Sequence, residues 1–273
     1  LGADDKAGVA EIMTAVSWLV HHPEVSHGPV EIIFTTDEET GRGMNDFPVK
    51  SLKSVCCYTL DGDTLGSVEA ECFNAYRAIV SFKGQVIHLG TARGKLVNAV
   101  SLAGKFISML PQNESPEATD GRFGFFCPLE ISGNLDSASL DIYLRDFEIG
   151  EIERRIEVLK QTAALLELIY PGGKVDVTVT KQYANMKSHI DRNPKVMDLL
   201  IKAIEEAGVE PLRKVIRGGT DGARLSEMGI PTPNVFTGGH NYHSRLEWVS
   251  VDAMEKAVMT ILNLIRFWAE EKV

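Results

Sequence analysis

Cysteine is scarce in this chain: four residues in 273, at Cys56, Cys57, Cys72 and Cys127. None forms a CxxC pair, and the spacings match no secreted disulfide framework. That excludes a disulfide-stapled miniprotein and predicts a reduced, cytoplasmic compartment. Cys56 and Cys57 lie together in an apolar run and read as buried core residues. Long apolar runs are missing too. No stretch approaches the roughly 20 residues of a membrane span, and nothing reads as a signal peptide, so no membrane partner is expected. Basic charge is in deficit. With 28 Lys and Arg against 38 Asp and Glu, the formal net charge is −10, which argues against a global nucleic-acid or anionic-membrane partner. There is no serine-centred nucleophile elbow, and the glycine-rich stretches lack a Walker lysine. Internal repeats and low-complexity segments are absent. So is an initiator methionine: the chain opens Leu1-Gly2-Ala3-Asp4-Asp5-Lys6, in mid-motif.

What remains is ordinary globular composition, 44% hydrophobic and 24% charged, at a length that suits one large domain or two smaller ones. Residues 5–20 carry apolar positions at helical spacing, with Asp4 and Asp5 at the dipole-favoured start and Pro23 beyond the end. Val30 to Phe34 and Val55 to Leu60 are short apolar runs that predict buried strands. The first ends in Thr36-Asp37-Glu38-Glu39 and the second in Asp61-Gly62-Asp63. The texture changes near Phe73. A strand at 78–82, a helix from Val97 to Leu110, an alternating strand at 138–144, a helix from Ile152 to Ala163 and an alternating strand at 175–179 predict a small α+β domain whose sheet is covered on one face. After Met186 the α/β texture returns, with a helix over 196–204, glycine-rich loops at 217–222 and 237–239, and a final helix from Met254 to Trp268. The expected organisation is an α/β domain over 1–73 and 186–273, interrupted by a small α+β domain over 74–185.

Several acidic residues stand where open α/β sheets place ligands, at strand ends and a helix start. Asp4, Glu39, Asp61 and His243 offer carboxylate and imidazole donors that suit zinc, cobalt or manganese. Their spacing has none of the tightness of a zinc finger, and acidic residues at strand ends also occur as solvated turns. The adjacent pair Glu38-Glu39 is sharper: one carboxylate can bind a metal while its neighbour takes a proton from water. His21 and His22, at a helix end, read as solvated; His27 lies in a turn. His240 is close enough in sequence to His243 to support it.

The ordered set Leu-Gly-Ala-Asp-Asp-Lys-Ala-Gly at 1–8, Thr-Asp-Glu-Glu at 36–39, Asp61-Gly62, Arg217-Gly218-Gly219-Thr220-Asp221-Gly222 and Asn241-Tyr242-His243 resembles the tripeptide aminopeptidases of the M20 di-zinc metallopeptidase family, over essentially the whole chain. The resemblance implies a metallopeptidase domain with a mixed sheet and helices, plus a ferredoxin-like lid and dimerisation domain over 74–185. It implies two zinc ions per subunit, with cobalt or manganese as possible substitutes. Asp4 matches the aspartate that bridges the metals, Asp61 a ligand of one, Glu39 and His243 ligands of the other, and Glu38 the general base. Asp5 would support the bridging position or start the helix. His88 matches a lid histidine that stabilises the reacting carbonyl from the partner subunit. Asn98, Arg145, Arg217 and Thr220 match residues near the substrate, Arg145 as a clamp for the peptide carboxylate. The implied activity is removal of the N-terminal residue from a tripeptide by a homodimer.

Two departures stand out. Leu89 follows His88 where the family has proline. The family also carries a His-x-Asp motif upstream of the bridging aspartate, and nothing precedes Leu1 here. The one His-x-Asp present, His189-Ile190-Asp191, lies elsewhere and reads as a surface histidine and a helix-start aspartate. Two alternatives therefore stay open: a catalytically incomplete fragment acting as a dimerising or peptide-binding module, and another M20 amidohydrolase such as a dipeptidase or N-acyl-amino-acid deacylase.

Overall fold

Helix α1 (Lys6–His21) begins where Asp5 can cap it. The Asp5 Oδ1 accepts the Gly8 N–H at 3.1 Å, satisfying one of the amides a helix start leaves without an internal partner. At the other end, His21 Nδ1 donates to the Ser17 carbonyl at 2.7 Å and His22 Nδ1 to that of Trp18 at 2.8 Å. The two histidines thus close the last turn rather than merely facing water. In this computed structural model, which describes residues 2–271, the chain forms two units, one spanning Leu1–Cys72 and Asn185–Val273, the other Phe73–Ala184.

The first unit continues with β1 (Thr59–Gly62) and β2 (Ser67–Cys72). The second unit contains β3 (Asn74–Lys83), α2 (Ala99–Met109), β4 (Phe125–Gly133), β5 (Ser137–Asp146), α3 (Ile149–Ile169) and β6 (Lys174–Tyr183). The chain then returns to the first unit through α4 (Lys187–Asp191), α5 (Pro194–Glu206), β7 (Leu212–Ile216), α6 (Asp221–Glu227), β8 (Asn234–Phe236), β9 (Gly239–His240), β10 (Trp248–Val249) and α7 (Val251–Glu270).

In the first unit the sheet order is β1-β8-β2-β7. β1 runs parallel to β8, β8 antiparallel to β2, and β2 parallel to β7, so the sheet is mixed. Leu60, Val68, Phe236, Leu200, Ile204 and Ala257 share one core. α1 packs on α7 and on β1. Gly8 permits the approach to β1, since a Cβ there would sit 2.2 Å from the Leu60 carbonyl oxygen.

The second unit is a β-α-β-β-α-β ferredoxin-like fold, with an antiparallel sheet of order β4-β5-β3-β6. Along β3, Ala78, Val80 and Phe82 are buried beneath α2 and α3, while Arg77, Ser81 and Lys83 are exposed. This is the one-sided sheet that the period-two alternation predicts. Phe106 of α2 packs edge-on against Phe82, with centroids 5.6 Å apart. Arg155 of α3 is buried and ion-paired through its two terminal nitrogens, to Asp146 at 2.7 Å and Glu114 at 2.9 Å.

Several expectations fail. Val30–Phe34 is not a strand. It is extended without a ladder partner among the described residues, and Phe34 is 52% exposed. The second apolar run is displaced: β1 starts only at Thr59, and Val55 is 75% exposed. Cys56 and Cys57 are accordingly half-buried, not core; none of the four cysteines is disulfide-bonded. Both apolar runs line a groove of about 1170 Å³ together with Ile12 and Val16 of α1 and Leu264 and Trp268 of α7. Apolar content predicts a strand only where a neighbouring backbone supplies the ladder. Asp191 ends α4 instead of starting a helix, and pairs with Lys187 at 2.7 Å. Strands β2, β4, β7, β8, β9 and β10 have no counterpart among the elements expected from sequence. Among the described residues no helix is long and apolar enough to cross a membrane.

Glu11 of α1 is fully buried, and neither carboxyl oxygen has a hydrogen-bond partner among the described residues. Burial, followed by the negative charge of Asp5, pushes its carboxyl from 4.5 up to about 9. The folded chain therefore keeps a proton that the unfolded chain loses above pH ~4.5. The resulting cost is absent below that pH, grows through neutrality and levels off near pH ~9, reaching about 3 kcal/mol at pH ~7. Glu11→Met, which conserves volume, should raise the thermal midpoint at pH ~7.5, with the gain shrinking as pH falls towards 4.5. Thermal unfolding over a pH series checks this; a gain independent of pH would contradict the assignment.

Candidate metal centre

Four separate chain segments deliver the candidate donors. Asp4 precedes the α1 cap, and the Asp4–Asp5 peptide bond is cis. Glu38 and Glu39 form a short 3-10 turn, Glu38–Thr40, bracketed by left-handed residues at Asp37 (φ 63°) and Gly41 (φ 69°). Asp61 occupies a register break in the β1–β8 pairing, between Leu60↔Val235 and Gly62↔Phe236. An extra residue at such a break is released from the ladder, and its side chain can be re-aimed. His243 lies in the loop between β9 and β10, itself left-handed at φ 61°. A non-glycine residue in this conformation needs surrounding structure to hold it.

Asp4, Glu39 and His243 converge. His243 Nε2 is 3.1 Å from Asp4 Oδ2 and 3.3 Å from Glu39 Oε2, and one donor atom from each lies within 4.8 Å of the others. Asp4 is nearly enclosed, whereas the His243 side chain is 71% exposed, so the cluster is open on the imidazole side. Around it the carboxylates repel one another. Asp61 is pushed up to about 9 by burial and then by the charges of Asp5, Glu38, Asp4 and Glu39. Glu38 is pushed up to about 7 by burial and the charges of Asp221, Glu39 and Asp4, against a lowering by His243. Asp5 rises to about 7 through burial and the charges of Asp4 and Glu38, partly offset by its bond to the Gly8 amide. Two carboxylates and an imidazole within ligating reach, amid further acids whose carboxyls are raised by burial and mutual repulsion, fit a divalent cation. The ligand types do not choose among zinc, cobalt and manganese.

The other expected residues fall into two groups. Thr220 caps α6, accepting the Gly222 N–H at 3.3 Å, and Arg217 lies half-buried in the preceding loop. His88, Asn98 and Arg145 belong to the second unit. His88 is exposed, and its Nδ1 accepts the Gly90 N–H at 3.2 Å. That bond fixes the proton of the neutral ring on Nε2. Asn98 caps α2 through Oδ1, with the amides of Val100 and Ser101 at 3.0 and 3.3 Å. Arg145 is buried, donating to the carbonyls of Tyr76 and Leu144, both at 3.0 Å, and stacking on Tyr143 at 4.3 Å. Both of these hydrogen bonds come from the same nitrogen, Nη1. His240 stacks on Trp248 at 4.3 Å rather than entering the acidic cluster.

Two residues near the cluster were not singled out from sequence. Asp221 is buried, accepts the Thr35 hydroxyl at 2.7 Å and adds its charge to that acting on Glu38. Glu247 binds backbone amides of residues 2–4. Neither belongs to a spacing that betrays its position.

The profile of peptidase family M20/M25/M40 matches residues 2–266. The chain belongs to this family. It is 48% identical to peptidase T of Clostridium perfringens over 271 residues, covering 99% of this chain and 67% of that protein. Among solved M20-type structures, aminopeptidase PepT from Bacillus cereus superposes with a TM-score of 0.82 at 25% identity, over 97% of this chain and 71% of the other. Bacillus subtilis YxeP, described as a dinuclear metal-binding peptidase of the M20 family, gives a TM-score of 0.74 at 17% identity, over 97% and 72%; at that identity the likeness concerns the fold.

Ligation requires ionised carboxylates and a neutral imidazole, so cation binding should release protons. Isothermal titration with Co²⁺ near pH 6.5, in buffers of different ionisation heat, should show net proton release and an affinity that rises with pH. His243→Ala should weaken binding at least tenfold. Equal affinity in the variant would remove His243 from the ligand set.

Proposed function

We propose that the protein is a metal-dependent aminopeptidase that removes the N-terminal residue of tripeptides, with zinc as its metal. The observation that carries this is the convergence of Asp4, Glu39 and His243, with Glu38 adjoining, in a chain nearly half identical to a peptidase T. In this reading Asp4 would be shared by two cations, Asp61 would help hold one of them, and Glu39 and His243 would hold the other. When bound, such ions polarise the peptide carbonyl and make water a stronger acid.

Glu38 is the base. Its carboxyl, raised to about 7 by burial and neighbouring acids, is matched to accepting a proton from the attacking water and returning it to the departing amine. The short turn that places Glu39 among the cluster donors holds the Glu38 carboxyl beside them. His88 offers an N–H from Nε2 for the developing oxyanion. Arg145 and the Asn98 amide hold the peptide's polar ends, and the 217–220 loop lines the substrate side. A homodimer through the second unit is part of this reading. Its support is the open strand edge of β4 and the exposed Leu165, Leu168 and Ile169 on α3.

Glu38→Gln keeps the shape of the side chain and removes the base. Tripeptide turnover should fall by roughly 10²–10⁴, with Co²⁺ affinity retained. Steady-state hydrolysis measured beside metal titration checks both, and turnover within a few-fold of the unaltered protein would assign the base elsewhere.

A further inference from the structure

We propose that Glu247 is a positioning residue, which fixes the segment carrying Asp4 against the loop carrying His243. This rests on the metal-centre reading above and deepens it. A single oxygen, Glu247 Oε1, accepts three successive backbone amides: Gly2 at 2.6 Å, Ala3 at 2.5 Å and Asp4 at 2.9 Å. Consecutive N–H groups converging on one point form a cradle for an anion, and hydrogen bonds to a carboxylate are about twice as strong as neutral ones. Gly2 is required for the approach, because a Cβ there would lie 2.5 Å from the Glu247 carbonyl oxygen.

The consequence lies in what each partner carries. Glu247 follows His243 by four residues in the same loop, and the third amide it binds belongs to Asp4 itself. The 3.1 Å separation between His243 Nε2 and Asp4 Oδ2 spans two segments far apart in sequence. Packing does little to set it, since the imidazole is mostly exposed. The loop's other anchors lead elsewhere. The Tyr242 hydroxyl donates to the Gly62 carbonyl at 3.1 Å and meets the Thr237 hydroxyl at 2.6 Å, tying the loop to the strand that bears Asp61. The stack of His240 on Trp248 holds the β9–β10 ribbon. Glu247 supplies the tether to Asp4. Loss of a group that orients ligands in this way typically costs 10–100-fold in metal affinity.

The test compares Glu247→Ala and Glu247→Gln with the unaltered protein, using Co²⁺ as probe. Affinity is read by calorimetry, ligand geometry by the visible absorption of bound Co²⁺, and fold integrity by thermal unfolding without metal. Glu247→Ala should lose 10–100-fold in affinity and change the absorption envelope. Glu247→Gln, whose amide oxygen accepts from the same three amides, should recover most of the affinity and the original envelope. An alanine variant with unaltered affinity and spectrum would overturn the proposal. So would a folded glutamine variant that recovers nothing, because the tether would then not be the operative property. Tripeptide hydrolysis is measured in parallel. Co²⁺ binding that follows the expected order without any hydrolysis would count against the aminopeptidase reading and leave Glu247 in its place.

Discussion

Mutual repulsion among clustered acids, several of them half-buried, is the constraint around which the first unit is arranged. Asp4, Asp5, Glu38, Glu39, Asp61 and Asp221 come from four chain segments and act on one another's ionisation. A fold normally disperses such charge, because each buried carboxylate without a counter-charge opposes stability. Here the backbone does the reverse. A helix cap, a left-handed bracket, a register break and a left-handed histidine each hold a donor towards the same place. A bound cation would relieve the repulsion and give these local irregularities a common purpose.

The same irregularities place reactivity on rigid supports. Asp61 lies within β1, Asp4 just ahead of α1, and His243 in the loop of the β9–β10 ribbon. β1 contributes Leu60 to the core shared with Val68, Phe236 and Ala257, and α1 packs on α7 and β1, so Asp61 and Asp4 inherit their positions from packed secondary structure. Glu38 benefits from the opposite circumstance. Half-buried among other acids, its carboxyl is raised to about 7, so both of its protonation states lie within reach near neutral pH. The ferredoxin-like unit has a different economy. Its buried Arg155 meets the opposite charge of Asp146 at 2.7 Å, and its sheet is sealed on one face by α2 and α3.

Periodicity makes the second unit legible apart from β4. The strand at 78–82, the alternation at 138–144 and 175–179 and the helical stripes of α2 and α3 survive because one face of each element meets a core. In the first unit the reading was less secure. Val30–Phe34 has a strand's composition without a strand's partner, and β7 and β8, short and bounded by glycine and proline, leave no periodic trace. The donors Asp4, Glu39 and His243 were legible as an ordered set of motifs, but their convergence was not, because it depends on loops from distant parts of the chain. Asp221 and Glu247 were illegible for a related reason. One is a helix-start acid and the other a loop acid, both common surface types, and only three-dimensional contact with Thr35 or with the Gly2–Asp4 amides separates them from the ordinary.

The central claim is that this acidic cluster is a metal centre. Crystals grown with Zn²⁺, with diffraction measured on both sides of the zinc absorption edge, test it without reference to activity. The account predicts an anomalous peak about 2.0–2.2 Å from carboxylate oxygens of Asp4 and Glu39 and from a ring nitrogen of His243. Fully occupied zinc elsewhere on the protein, with no peak among these three side chains, would contradict it.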